Sequence, residues 1–349
     1  MDDRQDIVLV VDYHSENLQF RSLDRATGEE EVFKKPTCAS VIEEVVEAAR
    51  NVAEARGGRV VWIMESTTGW ARVKALLGSR AQFILANVLQ MPLPPKARRR
   101  KTDKLDTARL LREYIHGDLP RSFQPDPWWR EVRRVARLRE DLVQRQTKLK
   151  NYINSYLAHE TWHERANLWS KKGMIRLRQW IEGSPDHDAF VLTMKLDELE
   201  QIMERVKEVE DRMKGIYDQW PKAQRLVEIR GIGLISAVSI LARIGPIERF
   251  GDDAEKLVGF AGLAPGIRQS DGTARSGHIG GGGTDTHLRF YLMEISVWAR
   301  QIPRYKVTYE RVAAKRGKKI GRLVVARLLL RSIHKMLRDD VAFDAKIAA

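Results

Sequence analysis

Three short, almost wholly apolar runs near the start of the chain constrain its fold most: IVLVV (Ile7 to Val11), RVVWIM (Arg59 to Met64) and AQFILA (Ala81 to Ala86). They are too short for helices and read as buried strands. DYHSENLQFRSLD, directly after the first, alternates like the second strand of a hairpin, and EEVFKK reads as a third strand. Between the apolar runs, VIEEVVEAARNVAEAR repeats its apolar residues at helical spacing, with Ser40 as its expected cap and Gly57 and Gly58 as its stop. GWARVKALLG reads as a shorter helix. The order β-β-β-α-β-α-β-α describes a mixed sheet covered by helices, ending near Gly117.

The remainder reads differently. GDLPRSFQPDP has the prolines of a linker, and Trp128 to about Ala158 is then strongly helical and rich in arginine. A second long helical pattern covers roughly Asp186 to Trp220, so the two suggest a helical arm or antiparallel coiled coil. Such an arm is either a solvated structural hairpin or a contact for nucleic acid or a second protomer. From Pro221 onward the chain is mostly helical around a glycine-rich stretch. With 349 residues, more than one domain is expected.

Charge narrows the partner. The 61 Lys and Arg exceed the 47 Asp and Glu by 14, an excess that predicts a polyanion, with nucleic acid ahead of an anionic membrane surface. No apolar run reaches the length of a membrane span and the start, MDDRQD, is acidic, so a soluble cytoplasmic protein is expected. The single cysteine, Cys38, forms no internal disulfide or thiolate zinc cluster and is expected to be inert. Any metal is to be held by oxygen.

Candidate oxygen ligands exist. Asp12 closes the first strand, Glu65 closes VVWIM, and Asp103 and Asp106 open a helix directly behind a basic run. Two aspartates three apart share a helix face and repel unless a positive charge lies between them. Four hard oxygen donors from three elements suit one or two Mg²⁺ ions, and paired metals about 4 Å apart serve both the attacking and the leaving oxygen of a phosphodiester. Each acid alone reads equally as a cap or a solvated group.

GIGLISAVSILARIG resembles a helix-hairpin-helix turn, in which Gly231 and Gly233 free backbone amides for a DNA phosphate; a tight helix-helix turn is the plainer reading. No glycine run leads into Gly-Lys-Ser or Gly-Lys-Thr, so nucleoside triphosphate hydrolysis is not expected. FAGLAPGIRQSDGTARSGHIGGGG holds Ser270 and Ser276 in a flexible basic setting; a hydroxyl there needs a base, cation or metal to become a nucleophile. His278 and His287 read as solvent-exposed.

VVDYHS, MESTTGW and KTDKLDTARL resemble the three acidic blocks of the DEDD transposases of the insertion-sequence one-ten family. That resemblance implies a RuvC-like ribonuclease-H fold over residues 1–120, with the acidic tetrad on Asp12, Glu65, Asp103 and Asp106. It further implies a helical connector over 121–220 and a transposase domain over 221–349. The family's second block, of the form GLxPxxxxSG...G.I...G...LR, is matched by GLAPGIRQSDG, SGHIGGGG and HLR. Its nucleophilic serine falls on Ser270, with Ser276 the fallback. Relatives commonly carry a Ser-Lys pair where this chain has Gly280 and Gly281 after Ile279, so that phosphate contact passes to Arg268, Arg275, His278 or Arg289.

The resemblance implies a DNA recombinase that mobilises an insertion sequence. It would bind Mg²⁺ on the tetrad, pass through a covalent phosphoserine and need no ATP. Implied partners are double-stranded DNA at element ends and target, a noncoding bridge RNA and further protomers forming a dimer and then a tetramer. Arg130, Arg133, Arg134, Arg137, Lys148 and Lys150 on the arm would grip phosphates with strong salt dependence. A site-specific invertase of the same fold, a metal-dependent junction nuclease with Ser270 a spectator, and an inactive nucleic-acid-binding relative are the alternatives.

Overall fold

The computed structural model describes residues 3–92, 103–159, 162, 166–270, 273–279 and 284–344, with side chains undescribed at 3, 103, 104, 265–270 and 273–279. It divides into two compact units, Met1–Gln124 and Pro125–Ala349.

In the first unit, β1 (Ile7–Tyr13), β2 (Asn17–Asp24), β3 (Glu30–Pro36), β4 (Val60–Glu65) and β5 (Gln82–Ala86) form one sheet in the order β3-β2-β1-β4-β5. β1, β2 and β3 are antiparallel neighbours, whereas β4 joins β1, and β5 joins β4, in parallel. The apolar runs are thus the central strands. Strand alternation sorts their side chains between two cores. Ile7, Leu9 and Val11 pack with Trp62 and Met64 beneath α1 (Ala39–Glu54) and α2 (Trp70–Leu77). Val8, Val10, Val61 and Ile63 pack on the other face with Leu110 and Leu111 of α3 (Asp103–His116). Trp62 anchors the first core edge-on to Phe20, which stacks on Phe33 at 4.9 Å. β3 is an edge strand guarded by Glu30, Glu31, Lys34 and Lys35.

The cap of α1 differs from expectation. Cys38, with extended backbone, holds the capping position while Ser40 lies inside the first turn. Cys38 is exposed, its Sγ 3.2 Å from the Ser40 Oγ, and the Ser40 hydroxyl and Val41 amide hold its thiol below the usual range.

In the second unit, α4 (Pro127–His159) and α6 (Asp186–Asp218) are the two expected long helices, joined by α5 (Lys171–Glu182). They run antiparallel, since Arg139 near the start of α4 bonds Glu210 near the end of α6 and Lys195 sits over the Tyr152 ring. Leu142, Leu149, Ile153 and Leu157 of α4 meet Leu192, Leu196 and Leu199 of α6 and Leu177 of α5 in one core. Val132 and Ala136, at the other end of α4, belong instead to a larger core with Met213, Trp220 and the helices that follow. Trp128, Trp129 and Trp220 pack edge to face, 4.8–5.2 Å apart, where α4 begins and α6 ends.

That larger core holds α7 (Pro221–Leu226), α8 (Leu234–Ile244), α9 (Ala254–Phe260), α10 (Thr286–Ala299), α11 (Pro303–Arg316) and α12 (Lys318–Asp339). Between α9 and α10 lies an antiparallel hairpin of β6 (Pro265–Ser270) and β7 (Thr273–Ile279), where the glycine-rich stretch suggested a flexible loop. Asp271-Gly272 between the strands is the overlooked signal, a dipeptide strongly favoured between hairpin strands. No helix among the described residues is long and apolar enough to cross a membrane.

Leu110 ties α3 to the sheet. Leu110→Ala is expected to destabilise the first unit by about 2–5 kcal/mol, read as faster denaturant-dependent hydrogen exchange at the β1 amides.

Candidate active site

The pairing of β1 with β4 brings two of the expected acids together. Val11 sits opposite Met64, so the next residues, Asp12 and Glu65, are neighbours at the carboxyl ends of two parallel strands. Alternation gives both the face of Val8, Val10, Val61 and Ile63, which α3 covers. On α3, Asp103, Asp106 and Leu110 follow at helical spacing along one stripe, and Leu110 packs on that same face of the sheet. Asp12, Glu65 and Asp106 are each half-buried. His14 Nε2 lies 3.2 Å from Asp12 Oδ2.

The loop after Glu65 is held close. A Cβ on Gly69 would sit 2.5 Å from the Tyr13 ring, so the MESTTGW segment passes the end of β1 at backbone distance. Among the described residues no three acids, histidines or cysteines gather tightly enough to hold a metal as they stand. The Asp103 side chain lies outside the description, as does the basic run before it. The donors that are described are carboxylates on one face, the oxygen chemistry that suits Mg²⁺.

In the second unit, Ser270 pairs with Thr273 in the last ladder position before Asp271-Gly272, and Arg268 pairs with Arg275 two residues back. Ser270, Arg268 and Arg275 therefore occupy one alternate set of hairpin positions. Ser276 pairs with Ile267 in the other. The His278 and Arg268 side chains lie outside the description, and so do Gly280 and Gly281.

The start of α10 is held by a largely buried ionic cluster not anticipated from the sequence. Asp285 caps α10 by accepting from the Leu288 amide at 2.9 Å, and its own amide donates to the Phe260 carbonyl. Arg243 of α8 bonds both Asp285 carboxylate oxygens at 3.3 Å and also Glu140 of α4, whose side chain is 9 % exposed. His287, expected to be merely solvent-exposed, places Nδ1 3.3 Å from Glu140 Oε2.

The expected phosphate contacts are divided. Arg133 turns inward, its Nε donating to the Ala242 carbonyl at 2.9 Å and its Nη2 to the Arg243 carbonyl at 3.3 Å, which closes the carbonyl end of α8. Burial, and then the Arg137 charge, lower its pKa. It serves as a structural cap on α8, a role the sequence reading of a surface grip did not include. Arg134, Arg137 and Lys148 are exposed, and Arg130 and Arg289 half-buried. Lys150 lies over the Trp169 ring, and burial lowers its pKa.

The glycine turn also separates into two roles. Gly231 has φ +99°, and a Cβ there would come within 2.8 Å of the Trp298 Cβ, so it serves a close approach to α10. Gly233 caps α8, its amide donating to the Ser236 hydroxyl at 2.9 Å. Arg243→Ala, which removes the arginine from the buried Glu140 carboxylate and from the half-buried Asp285, is expected to cost about 3 kcal/mol. Urea denaturation followed by the Trp128, Trp129 and Trp220 cluster would measure it.

Two family models match, in order along the chain. The IS110-type DEDD model, described as a transposase, matches residues 11–160, and the model described as the transposase IS116/IS110/IS902 family matches residues 223–310. No curated protein matches the sequence significantly. The first match contains all four acids and the second both the Gly231 turn and the serine hairpin. Transposases bind DNA, cut it and rejoin it. With both halves of one family's pattern in their proper order, the chain belongs to the IS110 family of transposases.

Proposed function

We propose that the chain moves an insertion sequence by serine recombination assisted by a divalent metal, most simply Mg²⁺. The observation that carries this reading is the register of β1 on β4. It sets Asp12 beside Glu65 on the face where the Asp103/Asp106 stripe of α3 packs. The strand order β3-β2-β1-β4-β5, with antiparallel pairing through β1 and parallel pairing beyond it, supports a RuvC-like ribonuclease-H domain as the scaffold.

In this reading Asp12, Glu65, Asp103 and Asp106 would hold the metal, whose chemistry when bound would be to offset negative charge on the phosphate. The Ser270 Oγ attacks phosphorus and loses its proton, and the bond from phosphorus to one strand's oxygen breaks. That oxygen takes up a proton. A hydroxyl from another strand then attacks the phosphoserine, frees Ser270 and restores a phosphodiester, so bond energy is conserved and no triphosphate is consumed. Arg268 and Arg275 stand in Ser270's alternate set on the hairpin, which favours Ser270 over Ser276 and supplies cations in place of the family's lysine.

The acids and the serine belong to separate units. Assembly of the whole site from two protomers, and guidance by a bridge RNA, are carried over from the family resemblance. The exposed Arg134 and Arg137 are the arm's contacts to phosphate, reading charge rather than bases.

The test is a denaturing gel of the chain with labelled element-end DNA, Mg²⁺ and co-purifying RNA. A protein-DNA adduct is expected, absent in Ser270→Ala and reduced by about a hundredfold or more in Asp106→Asn. Free cut ends without an adduct, from both the native chain and Ser270→Ala, would establish a hydrolytic nuclease instead. For the arm, Arg134→Ala with Arg137→Ala should flatten the log-log salt dependence of binding by about one for each phosphate that is no longer held. Filter binding across a salt series would measure it, and an unchanged slope removes the arm from the interface.

A further inference from the structure

A single residue, Gly317, joins α11 to α12, and its φ of +85° turns the chain sharply between them. The two helices are locked together beyond the turn. A Cβ on Gly321 would come within 2.9 Å of the Tyr309 ring, so α12 passes α11 at backbone distance, and further along the Tyr305 hydroxyl meets the Ser332 hydroxyl at 2.6 Å. What this fixed corner displays is charge. From Arg311 to Lys319 the chain carries Arg311, Lys315, Arg316, Lys318 and Lys319 and no acid. All five are exposed, and among the described residues no carboxylate pairs with any of them. Other cations of the same two helices do have acidic partners: Lys306 has Glu310, Arg331 has Glu255 and Arg338 has Asp339.

We infer that the α11/α12 corner is a docking surface for the phosphate backbone of duplex DNA. Folding alone does not account for the grouping. Lys315 and Arg316 suit the carboxyl end of α11, but Lys318 and Lys319 stand in the first turn of α12, where a cation opposes the helix dipole and an acid is favoured. Neighbouring charges of one sign repel one another, and a polyanion relieves that repulsion. Duplex DNA offers one charge about every 1.7 Å of its axis and gains by releasing counterions to lysine and arginine. A single strand is held differently, on exposed aromatic faces. The corner has none to offer, since Tyr305 is buried and Tyr309 is half-buried beneath the Arg300 guanidinium. The contact therefore reads charge rather than sequence. Arg322 donates to the Met293 carbonyl of α10, and Arg327 to the carbonyl of Leu263, two residues before β6. DNA on this corner is thus held by the same core from which the serine hairpin extends.

The inference rests on the transposase reading only for the choice of DNA as the polyanion. Its test needs neither strand cleavage nor Mg²⁺, so a failed corner leaves the Ser270 adduct standing and a failed adduct leaves the corner standing.

Fluorescence anisotropy of the full chain with a labelled DNA duplex of arbitrary sequence, repeated across a NaCl series, is the test. Lys315→Ala, Arg316→Ala, Lys318→Ala and Lys319→Ala, combined in one chain, should weaken binding about tenfold or more and lower the log-log salt slope by about 0.9 for each phosphate no longer held. Its thermal melting curve should match that of the native chain, because all four positions are exposed. The charge-preserving combination Lys315→Arg, Lys318→Arg and Lys319→Arg should keep both the affinity and the slope. An unchanged slope in the alanine variant overturns the inference, and so does an equal loss in the arginine variant. Duplex RNA and phosphatidylserine vesicles are titrated in parallel. A loss in the alanine variant confined to either of these, with duplex DNA binding intact, assigns the corner to RNA or to a membrane surface and likewise overturns it.

Discussion

The parallel ladder between β1 and β4 is the constraint on which the first unit depends. A one-residue slip in that pairing would move every side chain of a strand to the opposite face of the sheet. Here the penalty for slipping is doubled, because both faces are buried: one under α1 and α2, the other under α3. The same register that keeps Val8 and Val10 against Leu110 keeps Asp12 and Glu65 side by side. The packing of both faces and the side-by-side placing of the two acids are therefore set by one register.

The second unit solves a different problem, the rooting of a long charged hairpin of helices in a globular body. Apolar contacts at Val132, Ala136 and Met213 do most of this, and three tryptophans close the end. Polar groups finish it. Arg133 satisfies carbonyls that α8 leaves open at its end, and Arg243 reaches across to Glu140 and Asp285. Buried ion pairs add little net stability over an apolar packing of equal volume, but they are demanding about geometry. What the cluster provides is a defined position for the start of α10.

Much of the first unit was legible because its signals are local. Apolar runs of strand length, helical spacing between them and turn residues at their ends led to the element order now seen. The neighbouring of Asp12 and Glu65 follows from their places at the ends of two strands, whereas their grouping with Asp103 and Asp106 was suggested by the family resemblance. Ser40 was misassigned because a serine before an apolar run looks like a cap, yet the chain enters α1 two residues earlier, at Cys38. The hairpin of β6 and β7 was hidden by the glycines around it, although Asp271-Gly272 announced it. The ionic cluster was not legible at all. Glu140 and Arg243 are 103 residues apart, and only tertiary packing decides that the arginine within ILARIG should face inward. Arg133 illustrates the same limit. A row of arginines on a helix shows that charge is present, while the inward turn of one of them depends on which residue of α8 lies beneath.

One consequence follows from the course of α4. This helix of 33 residues passes through two cores without interruption. Glu140 sits at the crossing, linked through Arg243 to Asp285. The arm and the start of α10 therefore share a single ionic anchor, Arg243, which holds Glu140 on one side and Asp285 on the other.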